Sequence, residues 1–147
     1  MNAKETEAYL RNLIDRIWNR ADLGAVRELC RENIVLHCPH GNRLSGAAAY
    51  QEYAARVHAM FPDLHVTIPE MVIYEGRVAM RYTWTGTFAG GMTALGHAEA
   101  GRSVSVTGVA IYHLLEDQIV AGWVSEDWLS MYEQLGVLPA AAAEKAA

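Results

Sequence analysis

The sequence predicts an α+β domain in which N-terminal helices pack on one strongly curved antiparallel sheet, giving a cone-shaped barrel open at one end. Three observations carry this. Apolar residues recur at three- and four-residue spacing as far as Phe61, and after Pro62 the period changes to two. Helical segments first and strand segments second are the mark of an α+β domain with the helices on one sheet face. The two longest strand segments carry Gly108, Ala110 and Gly122 at their centres. Small residues mid-strand allow close approach, and here they predict a concave face that the helices cover without filling.

Leu10, Leu13, Ile14, Ile17 and Trp18 place an amphipathic helix near residues 3–20. Asp22 is positioned to cap a short second helix with Leu23, Val26 and Leu29 inward. Ile34 to His37 reads as a brief strand running into the turn Cys38-Pro39-His40-Gly41-Asn42. Ser45 is a suitable cap for a third helix whose apolar face holds Tyr50, Tyr53, Ala54, Val57, Met60 and Phe61, and Pro62 ends it.

Leu64, Val66 and Ile68 then alternate up to Pro69, followed by Met71 to Tyr74, a Glu75-Gly76 turn, and Val78, Met80, Tyr82 and Trp84. The glycine-rich stretch AGGMTALGHAEAG has no periodicity and reads as a lid or binding loop. Val104 to Tyr112 and Ile119 to Glu126 form a long hairpin about Glu116-Asp117. A plain two-residue turn puts Ala110 and Val124 on opposite faces, whereas an added bulge puts them on one face. Asp127 is placed to cap a last helix, Trp128 to Leu135. The domain spans 1–138, and the low-complexity tail 139–147 is expected to fray.

At 147 residues the chain is one domain with room for a core. A net charge of −5 with scattered basic residues argues against nucleic-acid and membrane partners. The N-terminus lacks the apolar core of a signal peptide, and no apolar run approaches the ~20 residues of a membrane span. Two cysteines, Cys30 and Cys38, are too few for a disulfide framework, so a cytoplasmic protein with free thiols is expected. His37, Cys38 and His40 do not have zinc-ligand spacing, and no metal site is expected. There is no phosphate-binding glycine loop and no nucleophile elbow.

Phe61-Pro62-Asp63-Leu64, Tyr82-Thr83-Trp84-Thr85-Gly86-Thr87, Thr107-Gly108-Val109-Ala110-Ile111-Tyr112, Trp123 with Asp127, and Glu133-Gln134-Leu135-Gly136 occur in the order seen in one family. Over Glu5 to Leu138 the chain resembles the SnoaL-like polyketide cyclases of the nuclear transport factor two-like superfamily. The resemblance implies ring closure by intramolecular aldol condensation, without metal or cofactor. It also implies an aspartate at the position of Val124 and a histidine at that of Ala110, and both are replaced here. Val124 equally counts against the reaction of the related limonene epoxide hydrolases. The family's cavity asparagine corresponds to His37, a frequent histidine to Phe88, and a common arginine to His113.

Glu126, two residues beyond Val124 and on the same strand face, is the candidate for a displaced catalytic carboxylate. His37, at a strand end where relatives carry a cavity amide, is its candidate partner, because an imidazole exchanges protons near neutral pH. Trp18, Tyr53, Tyr82, Trp84, Met92, Ala110, Tyr112 and Val124 are the candidate substrate-binding residues. Met92 and His97 stand in the loop that could close over a ligand. The expected ligand is a small hydrophobic, carbonyl-containing molecule. The expected activity is acid/base proton transfer, with a non-catalytic binding module and an epoxide hydrolase-like enzyme as alternatives. Val109, Ile111 and Trp123 leave an apolar outer sheet face, which predicts a homodimer through the sheet.

Overall fold

The computed structural model describes residues 1–139, so all of the predicted tail beyond Pro139 lies outside the described residues. Helix α1, Ala3–Ile14, opens on a reciprocal cap: Asn2 Oδ1 accepts the Glu5 amide and Glu5 Oε2 accepts the Asn2 amide, both at 2.8 Å. Its buried stripe is Leu10, Leu13 and Ile14. The predicted helix does not stay α-helical to residue 20, because Asp15–Asn19 winds as a π-turn. That turn aims Asn19 at the edge of the sheet, where its side chain bonds both the amide (2.7 Å) and the carbonyl (3.3 Å) of Val66.

Two of the predicted caps are absent. Helix α2, Gly24–Leu29, begins after Leu23 without a side-chain cap, since the Asp22 carboxylate is taken by Arg16 at 2.8 Å. Helix α3, Ala47–Met60, begins at Gly46, whose φ of 94° suits glycine, while Ser45 belongs to a strand. The strands are β1 Cys30–His37, β2 Arg43–Ser45, β3 His65–Tyr74, β4 Arg77–Thr87, β5 Gly91–Thr93, β6 Gly96–Ala98, β7 Ser103–Leu115 and β8 Gln118–Glu126. Helix α4 is Trp128–Gln134. The glycine-rich loop thus contains a small hairpin, β5–β6.

The main sheet has the order β2-β1-β8-β7-β4-β3, antiparallel except where β1 runs parallel to β8. Its curvature comes from bulges. In β3, Ile68 and Pro69 together face one residue of β4, and Pro69 has no amide for the ladder. The extra residue keeps Val66 and Ile68 before it, and Met71 and Ile73 after it, on the half-buried inner face. In the long hairpin both readings of the turn hold in part. Glu116 and Asp117 form a two-residue turn with φ of 49° and 62°, and Leu115 pairs with Gln118. A bulge between Ile119 and Ala121 then shifts the register, so Ala110 and Val124 are directly paired on the inner face.

The helices lie on the concave face. At the turn end of the sheet the space is solid: Leu10, Leu13, Ile17, Val26, Ile34, Val78 and Ile119 are fully buried. Toward the other ends of β4 and β8, where Tyr82, Trp84, Val124 and Glu126 stand, a cavity of about 250 Å³ remains.

Candidate active site

Three inward positions on adjacent strands set the centre of the site. Tyr82 on β4 pairs with Gly108 on β7, and Gly108 pairs with Glu126 on β8. Two strand spacings are roughly 10 Å, so the outer two side chains meet only if nothing stands between them. A Cβ on Gly108 would lie 2.7 Å from Tyr82 Cζ and 2.9 Å from Glu126 Cγ. The glycine therefore lets the Tyr82 hydroxyl cross it and donate to Glu126 Oε2 at 2.5 Å. Gly122 is occupied in the same way, by Leu36 and the Tyr112 ring. The small residues predicted to leave the cavity empty instead seat the side chains that shape it.

Two indoles complete the cradle. Trp84 Nε1 donates to Glu126 Oε1 at 3.2 Å and Trp128 Nε1 donates to the same oxygen at 2.8 Å. Trp128 is turned back toward the carboxylate by the start of α4. There Asp127 Oδ1 accepts the Ser130 amide at 3.0 Å, and the Asp127 amide is fixed to the Thr107 carbonyl at 3.0 Å. Burial, and then the Glu126 charge, push the Tyr82 hydroxyl far above the ordinary phenol range, so it remains a donor. Three neutral donors hold the carboxylate in one orientation.

The rest of the wall is mostly apolar. Among the described residues it carries ten aromatic side chains, and Glu126 is its one charged group. Trp18, Tyr53, Tyr82, Trp84, Met92, Tyr112 and Val124 all line it. Ala110 does not: it is 1% exposed, in register between Met80 and Val124, both of which reach the wall. Met92 borders the cavity from the β5–β6 hairpin while remaining 74% exposed. His97 is exposed on the same hairpin.

His37 is not brought to Glu126. On β1 the wall residues are Leu36 and the following Cys38, so strand alternation turns His37 to the opposite face. There its ring stacks on Trp123 at 5.3 Å, and His113 packs on the same indole at 4.7 Å. His40 is exposed, but its Nε2 lies 3.3 Å from the Tyr132 hydroxyl and its ring 5.1 Å from that of Trp128. It borders a shallow depression on the other side of Glu126. Sequence reasoning missed Cys38, Trp128 and Tyr132. Parity with Leu36 would have found Cys38, and the Asp127 cap fixes where Trp128 turns. The Cys38 thiol is pushed up to about 12 by burial and, secondarily, by Glu126, so it is no nucleophile near neutral pH. The described residues bring together no group of three or more His, Cys, Asp or Glu able to hold a metal.

The family model of the SnoaL-like polyketide cyclases matches residues 8–135. The chain belongs to the SnoaL-like polyketide cyclase family. Among solved structures it is similar to AclR, a hydroxylase candidate from Streptomyces galilaeus, at 24% identity and TM-score 0.81, covering 97% of this chain and 88% of that one. A polyketide cyclase candidate from Acidithiobacillus ferrooxidans shares 22% identity at TM-score 0.79, covering 92% and 97%. IdmH, a polyketide cyclase candidate from Streptomyces antibioticus, shares 23% at 0.75, covering 92% and 99%. At these identities the likeness speaks for the fold. No match was found among curated proteins. In the terms of this SnoaL-like family, Val124 stands on the cavity wall at the position where the resemblance implies the catalytic aspartate. Glu126 follows it on the same strand face.

Proposed function

We propose that this SnoaL-like chain is a cofactor-free enzyme that closes a ring in a small hydrophobic carbonyl compound by acid/base proton transfer. The observation that supports the reading is Glu126, among the described residues the single charged group on a mostly apolar, aromatic wall. Its oxygen removes a proton from the carbon beside a carbonyl. That carbon then forms a bond to a second carbonyl carbon of the same molecule as the π pair of that carbonyl moves onto its oxygen, and Glu126 returns the proton to that oxygen. The cavity supplies positioning and excludes water. His37, on the outer face, has no place in this scheme.

The test uses benzoylacetone as a carbon acid and follows exchange of its central protons with deuterated water by NMR. The wild-type chain is expected to accelerate exchange, and Glu126→Gln is expected to lose about 10²-fold or more of that acceleration. A wild-type rate equal to that of buffer leaves the non-catalytic binding module as the better reading.

The same reading includes a homodimer through the outer sheet face. Val109, Ile111 and Trp123 are 55%, 48% and 42% exposed there and adjoin one another across β7 and β8. Sedimentation at micromolar concentration is expected to give the dimer, and a monomer alone would count against it. No helix among the described residues is long and apolar enough to cross a membrane.

A further inference from the structure

We infer that His40 is a positioning residue for Glu126: from the solvent side of the cavity wall it braces the Trp128 indole in the orientation whose Nε1–H holds Glu126 Oε1. The inference rests on the proposed function and assigns a residue outside the cavity to the same carboxylate.

Glu126 and Trp128 form a partition. Both line the ligand cavity, and both also line the shallow depression beyond it, whereas His40 borders the depression alone. The bond from Trp128 Nε1 to Glu126 Oε1, 2.8 Å long, therefore lies in the dividing wall. The indole is only half-buried, so packing from within does not cover it. His40 meets it edge-to-face with ring centroids 5.1 Å apart, and places Nε2 3.3 Å from the Tyr132 hydroxyl. Trp128 and Tyr132 are four residues apart and share one face of α4, and the imidazole spans the two. Burial raises the Tyr132 phenol, so its hydroxyl keeps the proton it shares with the imidazole.

The rest of α4 is fixed by other means. Asp127 Oδ1 accepts the Ser130 amide at its start, and the Gln134 side chain at its end bonds the amide and the carbonyl of Ser105 at 2.8 and 2.9 Å. These contacts set the helix backbone on β7. They do not set the side-chain torsions of Trp128, and those decide whether Nε1 points at the carboxylate. His40 is the contact that bears on the indole from the solvent side.

The turn between β1 and β2 is built to present this side chain. The Cys38 amide bonds the Asn42 carbonyl at 2.7 Å, and Asn42 Nδ2 bonds the Pro39 carbonyl at 2.8 Å. Between them His40 stands at φ 64° and ψ 26°, a left-handed conformation that glycine adopts at less cost. A side chain therefore occupies a position whose backbone disfavours one, and that side chain is the one packed on Trp128. The same feature makes a glycine substitution informative. It removes the imidazole and relaxes the backbone together, so a lost contact is not confused with a lost fold.

The experiment reads the indole directly. In the nitrogen-15-labelled full chain the four tryptophans give four indole N–H signals, and the one lost in Trp128→Phe belongs to Trp128. His40→Gly should speed hydrogen exchange at that N–H about tenfold, with the other three signals in place and the urea midpoint no lower than in wild type. His40→Asn, which also tolerates the left-handed turn, should do the same. Benzoylacetone exchange should fall about tenfold in His40→Gly, and no further in His40→Gly/Trp128→Phe than in Trp128→Phe alone. An unchanged Trp128 signal in both His40 variants overturns the brace. So does a fall in the urea midpoint with all four signals displaced, which is a general structural role, and so do additive losses in the double variant. A displaced Trp128 signal in a chain whose wild type does not accelerate benzoylacetone exchange upholds the brace and overturns the ring-closing reading.

Discussion

Replacing Gly108 by alanine tests whether the Tyr82–Glu126 contact organises the site. The new Cβ would stand 2.7 Å from Tyr82 Cζ, 2.8 Å from its Oη and 2.9 Å from Glu126 Cγ, closer than such atoms approach. Overpacking of this kind costs about 1–3 kcal/mol. Separating the phenol from the carboxylate adds about 1.5–3 kcal/mol for a hydrogen bond to a charged group. Alanine returns about 0.5–1 kcal/mol through the unfolded chain. The net expectation is a loss of about 2–5 kcal/mol in urea unfolding. Gly122→Ala is the matched control, because its Cβ meets Leu36 Cδ2 at 2.7 Å and Tyr112 Cδ1 at 2.8 Å without touching the carboxylate. It should cost the steric part alone. Both variants should lose stability, and benzoylacetone exchange should fall further in Gly108→Ala, which parts Tyr82 from the carboxylate, than in Gly122→Ala, which displaces the wall residues Leu36 and Tyr112. A Gly108→Ala chain within about 0.5 kcal/mol of wild type, with exchange intact, would refute the reasoning.

Asp127→Ala removes the cap of α4 and is expected to cost about 1 kcal/mol. Because it also frees the segment that aims Trp128 at Glu126, benzoylacetone exchange should fall with it. Asp63 accepts the Thr87 amide at 2.6 Å and the Thr87 hydroxyl at 2.7 Å, and these bonds hold its carboxyl below the usual range. A depressed folded value means that its contribution is present above the unfolded value of about 3.9 and fades as pH falls through the folded one. The urea midpoints of wild type and Asp63→Ala should therefore differ at pH 7 and converge in acid.

The architecture was legible because period-two segments with paired turns specify an antiparallel sheet, and the helical stripe before Pro62 specifies what covers it. Local details were less so. Ser45 and Asp22 have the right chemistry for caps, but Ser45 is drawn into β2 and Asp22 into an ion pair with Arg16. Glu126 could be found by counting two residues on from Val124. Its donors could not, since Tyr82 and Trp84 reach it only through the β4–β7–β8 register, and that depends on a bulge far along the hairpin. His37 shows how a single step of strand parity separates a wall residue from an outer-face one. Its neighbours Leu36 and Cys38 line the cavity.

The partition of the indoles has a practical use. Trp18, Trp84 and Trp128 border the interior, whereas Trp123 sits outside between two imidazoles. The chain has only these four tryptophans, so Trp123→Phe would leave intrinsic emission that reports on ligand entry alone. Conversely, the emission lost in that substitution would isolate a lamp on the opposite surface, sensitive to whatever settles there.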